Sequence, residues 1–333
     1  MKPNQSLESI RSKRYPMMEA SPHLLFQEKT EHLMNLVLLA LLPSIVASIL
    51  FYGLPSLLLY IITLITCILS EFIWFKLRNQ SIPKDRSVLV TAVLLAMSLP
   101  PSVPLWYPIV GGSIAILLSK ELFGGIGRNL LNPALAGRAV LRLLFVQEMS
   151  ANVLPQPLFS TSGLDVVSSA TPLMTAESGQ SLSKTQMLDS LIGLIPGKNA
   201  ETAALLLLLG GLFLLYKKVI TWQIPFSMLG TIAILAFIAG DGNLTIAFAH
   251  LFGGATMLGV FFMATDYSTS PTTSKGQILY GVCCGALLMA WRLFTSMPEG
   301  MTFILLIMNC FVPLIDYLII PKAYGQPIKQ KQN

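Results

Sequence analysis

The chain has 333 residues, 53% hydrophobic and only 11% charged, with a mean hydropathy of +0.68. Soluble globular domains carry roughly 25% charged residues, so an ordinary water-soluble enzyme is excluded and a disordered chain more firmly so. The net charge of +6 would suit nucleic acid, yet the basic residues recur between long apolar runs instead of forming one patch. No nucleic-acid partner is expected, and the pattern is that of an integral membrane protein.

Residues 1–32 contain charges and proline but no apolar core, so they read as a tail and not as a cleaved signal peptide. A membrane-spanning helix needs about 20 mostly apolar residues. Runs of this kind fall at 33–53, 55–75, 105–122, 200–219, 222–240, 244–263, 276–294 and 301–320, with two shorter candidates at 86–99 and 131–147. The expected fold is therefore an all-α polytopic membrane protein of ten transmembrane helices. Its four cysteines, Cys67, Cys283, Cys284 and Cys310, lie within apolar runs without metal-ligand spacing, so neither a metal nor an iron–sulfur site is expected.

The positive-inside rule tests that count. Alternate loops, starting from the N-terminal tail, hold seventeen of the twenty-two Lys and Arg residues. Only Lys184, Lys198 and Arg292 fall on the opposite side, while Arg138 and Arg142 fall inside the fifth span. Both termini, 1–32 and 321–333, are thus expected in the cytoplasm. The hydrophilic loop 148–199 is expected outside, and a loop of that length is usually functional or disordered.

Two segments punctuate the apolar runs alike: FGGIGRNLLNPALAGRAVL (123–141) and FFMATDYSTSPTTSKGQIL (261–279). Each passes from an apolar run through small residues to an Asx/Ser–Pro pair, Asn132-Pro133 or Ser270-Pro271, and then to a basic residue beside glycine. Corresponding breaks in two halves point to inverted repeats of five spans each, 33–147 and 200–320, with a ligand site near the interrupted helices. Helix ends there expose N–H groups suited to polar or anionic ligands.

Within the long loop, DVVSSAT (165–171) is followed by Pro172, which holds Thr171 in an extended conformation. The string resembles the D-x-x-S-x-A-T signature at which a flavin transferase joins FMN to threonine through a phosphoester. The segments LFGGIGRN (122–129), NPA (132–134), GGATMLG (253–259), FFMATD (261–266) and PLIDY (313–317) are similar to one family. That family is the D subunit of the Rnf ion-translocating electron-transport complex, a relative of the B subunit of the Na+-translocating NADH:quinone reductase. The chain departs from its pattern at Tyr267, where the family carries proline.

The resemblance implies a bacterial inner-membrane redox subunit that relays electrons, coupled to Na+ or H+ movement. FMN would be attached at Thr171, with Asp165, Ser168 and Ala170 completing the attachment motif. Riboflavin is a candidate second, non-covalent cofactor. Sibling subunits carrying Fe–S clusters and flavins, and a flavin transferase for maturation, are the implied partners. Arg138, Asn132, Gly124 and Gly125 are candidates for a flavin pocket.

Ionisable groups at membrane depth are costly and invite functional reading. Asp266, at the second break, and His250, within the eighth run, are candidates for an ion or proton path, the alternatives being a turn cap and a buried neutral histidine. Arg138 and Arg142 stand one turn apart on one helix face and could meet phosphate or Glu148. The competing function is a urea-channel-like solute channel or transporter, because inverted five-helix repeats with broken helices also serve permeation. A channel has no need of the threonine motif.

Overall fold

The computed structural model describes residues 30–83, 85–155, 172–177, 183–199, 203–295 and 300–319. Thr171, Asp165, Ser168 and Ala170 lie outside the described residues. Among those described the chain is helical, its one extended pairing an isolated bridge between Val153 and Gly197.

Helix α1 (Thr30–Leu77) covers the first two apolar runs, with a break at Gly53, whose φ of 64° and ψ of −143° leave helical space. Lacking a Cβ, glycine takes this left-handed geometry without the usual clash. Pro55 then opens the second arm, where its missing N–H is harmless. Ser48 Oγ lies 3.0 Å from Tyr60 OH, although a straight helix would separate these residues by about 18 Å along its axis. The two arms therefore fold towards each other.

The arms are amphipathic in the inverted sense. Ser44, Ser48, Ser56, Thr63 and Ser70 are buried, whereas Ile61, Ile65, Ile68, Leu69 and Phe72 are exposed. Such a stripe would be untenable in water, and it suits a helix whose apolar face meets lipid.

Next come α2 (Ser87–Ser98) and α3 (Tyr107–Ser113), the latter running directly into a π-helical stretch, Ile114–Glu121. Helices α4 (Pro133–Leu144) and α5 (Val146–Ser150) complete the first half. In the loop region, α6 (Pro172–Glu177) and α7 (Lys184–Ile192) are short; Ser183 and Gln186 form a reciprocal cap at the start of α7.

The second half contains α8 (Ala204–Tyr216), α9 (Gln223–Ala239), α10 (Leu244–Phe252) and α11 (Thr256–Leu258). Helix α11 likewise runs into a π-helical stretch, Gly259–Met263, and α12 (Ser274–Phe294) and α13 (Met301–Leu318) follow. All ten apolar runs thus contain helix. By length and composition three helices, α1, α12 and α13, suffice to cross a membrane; α10 with Thr256–Met263, bent by 60°, makes a fourth. The chain is a multi-pass membrane protein.

Small residues bring the helices into close contact, as they do where lipid gives no hydrophobic drive to association. A Cβ on Gly281 would stand 2.9 Å from the carbonyl oxygen of Ile224, and one on Gly210 closer still to that of Ala40. The far end of the long loop is pinned as well. The buried Asn199 accepts from Ser56 Oγ at 2.6 Å and donates to the Ala96 carbonyl at 3.3 Å.

Candidate functional site

The two segments singled out by their punctuation are both helix breaks, and each directly follows a π-helical stretch. In the first, Gly124, Gly125 and Gly127 all have left-handed φ values, 105°, 88° and 82°. Asn132 then caps α4, its Oδ1 accepting from Ala134 N and Leu135 N, with Pro133 opening the helix. In the second, Thr273 Oγ1 caps α12 by accepting from Gly276 N at 3.1 Å. Asp316 on α13 accepts from Thr272 N at 3.0 Å, tying the break to the last helix.

The breaks meet. Asn132 Nδ2 donates to Asp266 Oδ2 at 3.4 Å, and the same oxygen accepts from Ser268 Oγ at 3.0 Å and Thr269 Oγ1 at 3.3 Å. The turn cap weighed for Asp266 is therefore present, together with a contact to the other half.

Asn132 and Asp266 line a cavity between the breaks. Leu94, Phe261 and Phe262 supply apolar wall, and Lys120 and Asn129 supply polar wall. Asn129 is buried, and its Oδ1 has no hydrogen-bond partner among the described residues. A buried acceptor aimed into a cavity can take a hydrogen bond from whatever polar group enters it.

Behind Lys120 stands a charge cluster. Lys120 Nζ lies 2.5 Å from Glu71 Oε1 and 3.4 Å from Glu121 Oε1, and all three side chains are buried. Glu71 and Lys120 both fall inside apolar runs, the signal that could have disclosed them.

The remaining candidates lie off this cavity. Gly124 and Gly125 shape the first break without lining the cavity, and Arg138 is buried on α4. Arg142 Nη1 donates to the Val146 carbonyl at 3.3 Å and also bonds Ser150. His250 is buried near the bend between α10 and α11, so it and Asp266 do not share the cavity. Its carbonyl accepts from Arg292 Nη1 at 2.7 Å, while Arg292 Nη2 donates to Thr256 Oγ1 at 2.7 Å. A buried guanidinium thereby serves a carbonyl that the end of α10 leaves open. Leu173 of α6 packs against Gly253 and Gly254 at this bend.

A flavin ring system offers an imide N–H between two carbonyls on a flat, largely apolar body. The Asn129 oxygen is placed to accept from such an imide N–H beside the Phe261–Phe262 wall, whereas the Asn132 amide is already engaged by the α4 cap and Asp266.

Comparison with known proteins follows the same lines. Residues 17–325 match the model of the NQR2, RnfD, RnfE family. The D subunit of the Na(+)-translocating ferredoxin:NAD(+) oxidoreductase complex of Acetobacterium woodii is 40% identical, covering 92% of this chain and 95% of that protein. The D subunit of the ion-translocating oxidoreductase complex of Halorhodospira halophila is 38% identical over 92% of this chain and 95% of its own, and that of Salmonella arizonae 35% over 92% and 97%. The match runs along nearly the whole length, and the chain belongs to the NQR2, RnfD, RnfE family.

Proposed function

We propose that this chain is the membrane subunit of an Rnf-type ion-translocating oxidoreductase, relaying electrons through flavin coupled to Na+ or H+ transport. The observation that carries the proposal is the identity of 35–40% with complex D subunits over 92% of the chain. FMN is carried on Thr171 by a phosphoester, with Asp165, Ser168 and Ala170 as the recognition motif for a flavin transferase. The loop 148–199 lies outside the bacterial inner membrane and both termini lie in the cytoplasm, ten spans being arranged as repeats 33–147 and 200–320. The paired α-to-π helices, each followed by a break and a capped helix, support the repeat.

Bound flavin exchanges one or two electrons, and the surrounding protein tunes its potential. The chain's own residues hold, orient and insulate. The segment following Thr171 is anchored where Leu173 packs at the α10–α11 bend. In the cavity, Asn129 orients a non-covalent flavin, riboflavin, and the aromatic wall excludes water. Asp266 lies where a cation or proton can answer a change of charge. Sibling subunits with Fe–S clusters and flavins supply and remove the electrons.

The test is in-gel fluorescence of the denatured chain from membranes that co-express a flavin transferase, with intact-mass analysis. A fluorescent band heavier by one FMN, lost in Thr171→Ala, is expected. A colourless wild-type band of unmodified mass overturns the flavin assignment and leaves the cavity as a solute pathway.

A further inference from the structure

Irregular backbone inside a membrane bundle must find hydrogen bonds from its surroundings, because lipid offers none. The two breaks present this problem side by side, and one side chain answers for both. Asn309 on α13 is 1% exposed. With its amide oriented to satisfy every neighbour, its oxygen accepts from the backbone N–H of Asn132 at 3.2 Å. Its nitrogen then faces the Thr269 carbonyl at 3.2 Å, the Leu305 carbonyl at 3.0 Å and Tyr280 OH at 3.1 Å.

We propose that Asn309 is a positioning residue: it holds the two breaks at a fixed separation and thereby sets the Asn132–Asp266 wall of the cavity. A primary amide both accepts and donates, which is what an N–H in one break and a C=O in the other require. Leucine of similar size does neither, and serine is too short to reach both. Asn309 does not line the cavity, so it acts through the residues it holds. Asn132 is bound from two sides, its backbone by Asn309 and its amide nitrogen by Asp266. Loosening one side frees the cap of α4 to turn away from Asp266. The consequence for a bound flavin rests on the function proposed above; the geometry of the breaks does not.

The test uses the full chain with Cys283 and Cys310 replaced by alanine and spin labels on Arg128→Cys and Ser274→Cys, one beside each break. Double electron–electron resonance reads the distance between them. Asn309→Leu, and Asn309→Ser as a milder second variant, are expected to broaden and shift the distance distribution. Tyr280→Phe, which removes a partner of Asn309 but neither break contact, is expected to leave it unchanged. Non-covalent flavin retained per chain should fall roughly tenfold in the Asn309 variants, as for loss of a hydrogen-bond network worth more than one bond, while the covalent band at Thr171 persists. Unchanged distributions in both Asn309 variants overturn the proposal, as does an equal shift in Tyr280→Phe. If the wild type binds no non-covalent flavin, that part of the function fails and the label distances alone decide the role of Asn309.

Discussion

Asn132 and Asp266 lie 134 residues apart in the chain and meet side chain to side chain at 3.4 Å. Each belongs to a helix break, and each is held locally before it reaches across: Asn132 by capping α4, Asp266 by the hydroxyls of Ser268 and Thr269. A contact between two capped turns changes only when one of the turns moves. This makes the pair a suitable link between an event in the cavity and the packing of the two halves.

Asp266→Asn keeps the size of the side chain and removes its charge. A hydrogen bond to a charged group is worth about 1.5–3 kcal/mol, so ion-coupled electron transfer in reconstituted vesicles should fall by roughly tenfold or more. The covalent flavin proposed at Thr171 should be unaffected, since Leu173, two residues on, packs at the α10–α11 bend. Normal coupled rates would reduce Asp266 to a turn cap.

Lys120, Glu71 and Glu121 make one ammonium against two carboxylates in a buried cluster. Lys120→Met leaves two unpaired buried acids and should destabilise most, by about 3–5 kcal/mol, as when one partner of a buried pair is removed. Glu71→Gln still leaves a one-to-one pair with Glu121 and should cost less. Glu121→Gln keeps the short Lys120–Glu71 contact and should be the mildest of the three. Chemical or thermal unfolding of the three purified variants gives the order directly, and a different order would mean that the cluster is not balanced as described.

Much of the helical layout is legible in the sequence because apolar length and glycine–proline punctuation act locally. The boundary expected between the runs 33–53 and 55–75 coincides with the break at Gly53, and Asn132-Pro133 marks a real cap. Asp266 is legible as a costly charge beside a break. What escapes is tertiary. Asn309 sits in an unbroken apolar run, and nothing local says that its amide faces two breaks at once. Lys120 closes an apolar run beside the glycine-rich segment, and nothing local says that a π-helical turn carries it inward to Glu71. Arg292, which the charge pattern places among the cations outside, is buried against the end of α10.

Glycines on adjoining helices should respond in opposite senses to the same added methyl group. Helices α9 and α12 approach closely at Gly285, where a Cβ would lie 2.9 Å from the Met228 carbonyl oxygen, whereas a Cβ on Gly230 of α9 would meet nothing within 4 Å. Backbone cannot move aside as a side chain can, so Gly285→Ala should force the helices apart and cost about 1–3 kcal/mol, as overpacking usually does. Gly230→Ala carries only the helix-propensity difference, up to about 1 kcal/mol in favour of alanine. Thermal unfolding of the two variants in the same detergent should move in opposite directions. A loss in both would show that the space beside Gly230 is not open in the folded chain, and no loss in Gly285→Ala would mean that the α9–α12 contact yields more easily than its geometry implies.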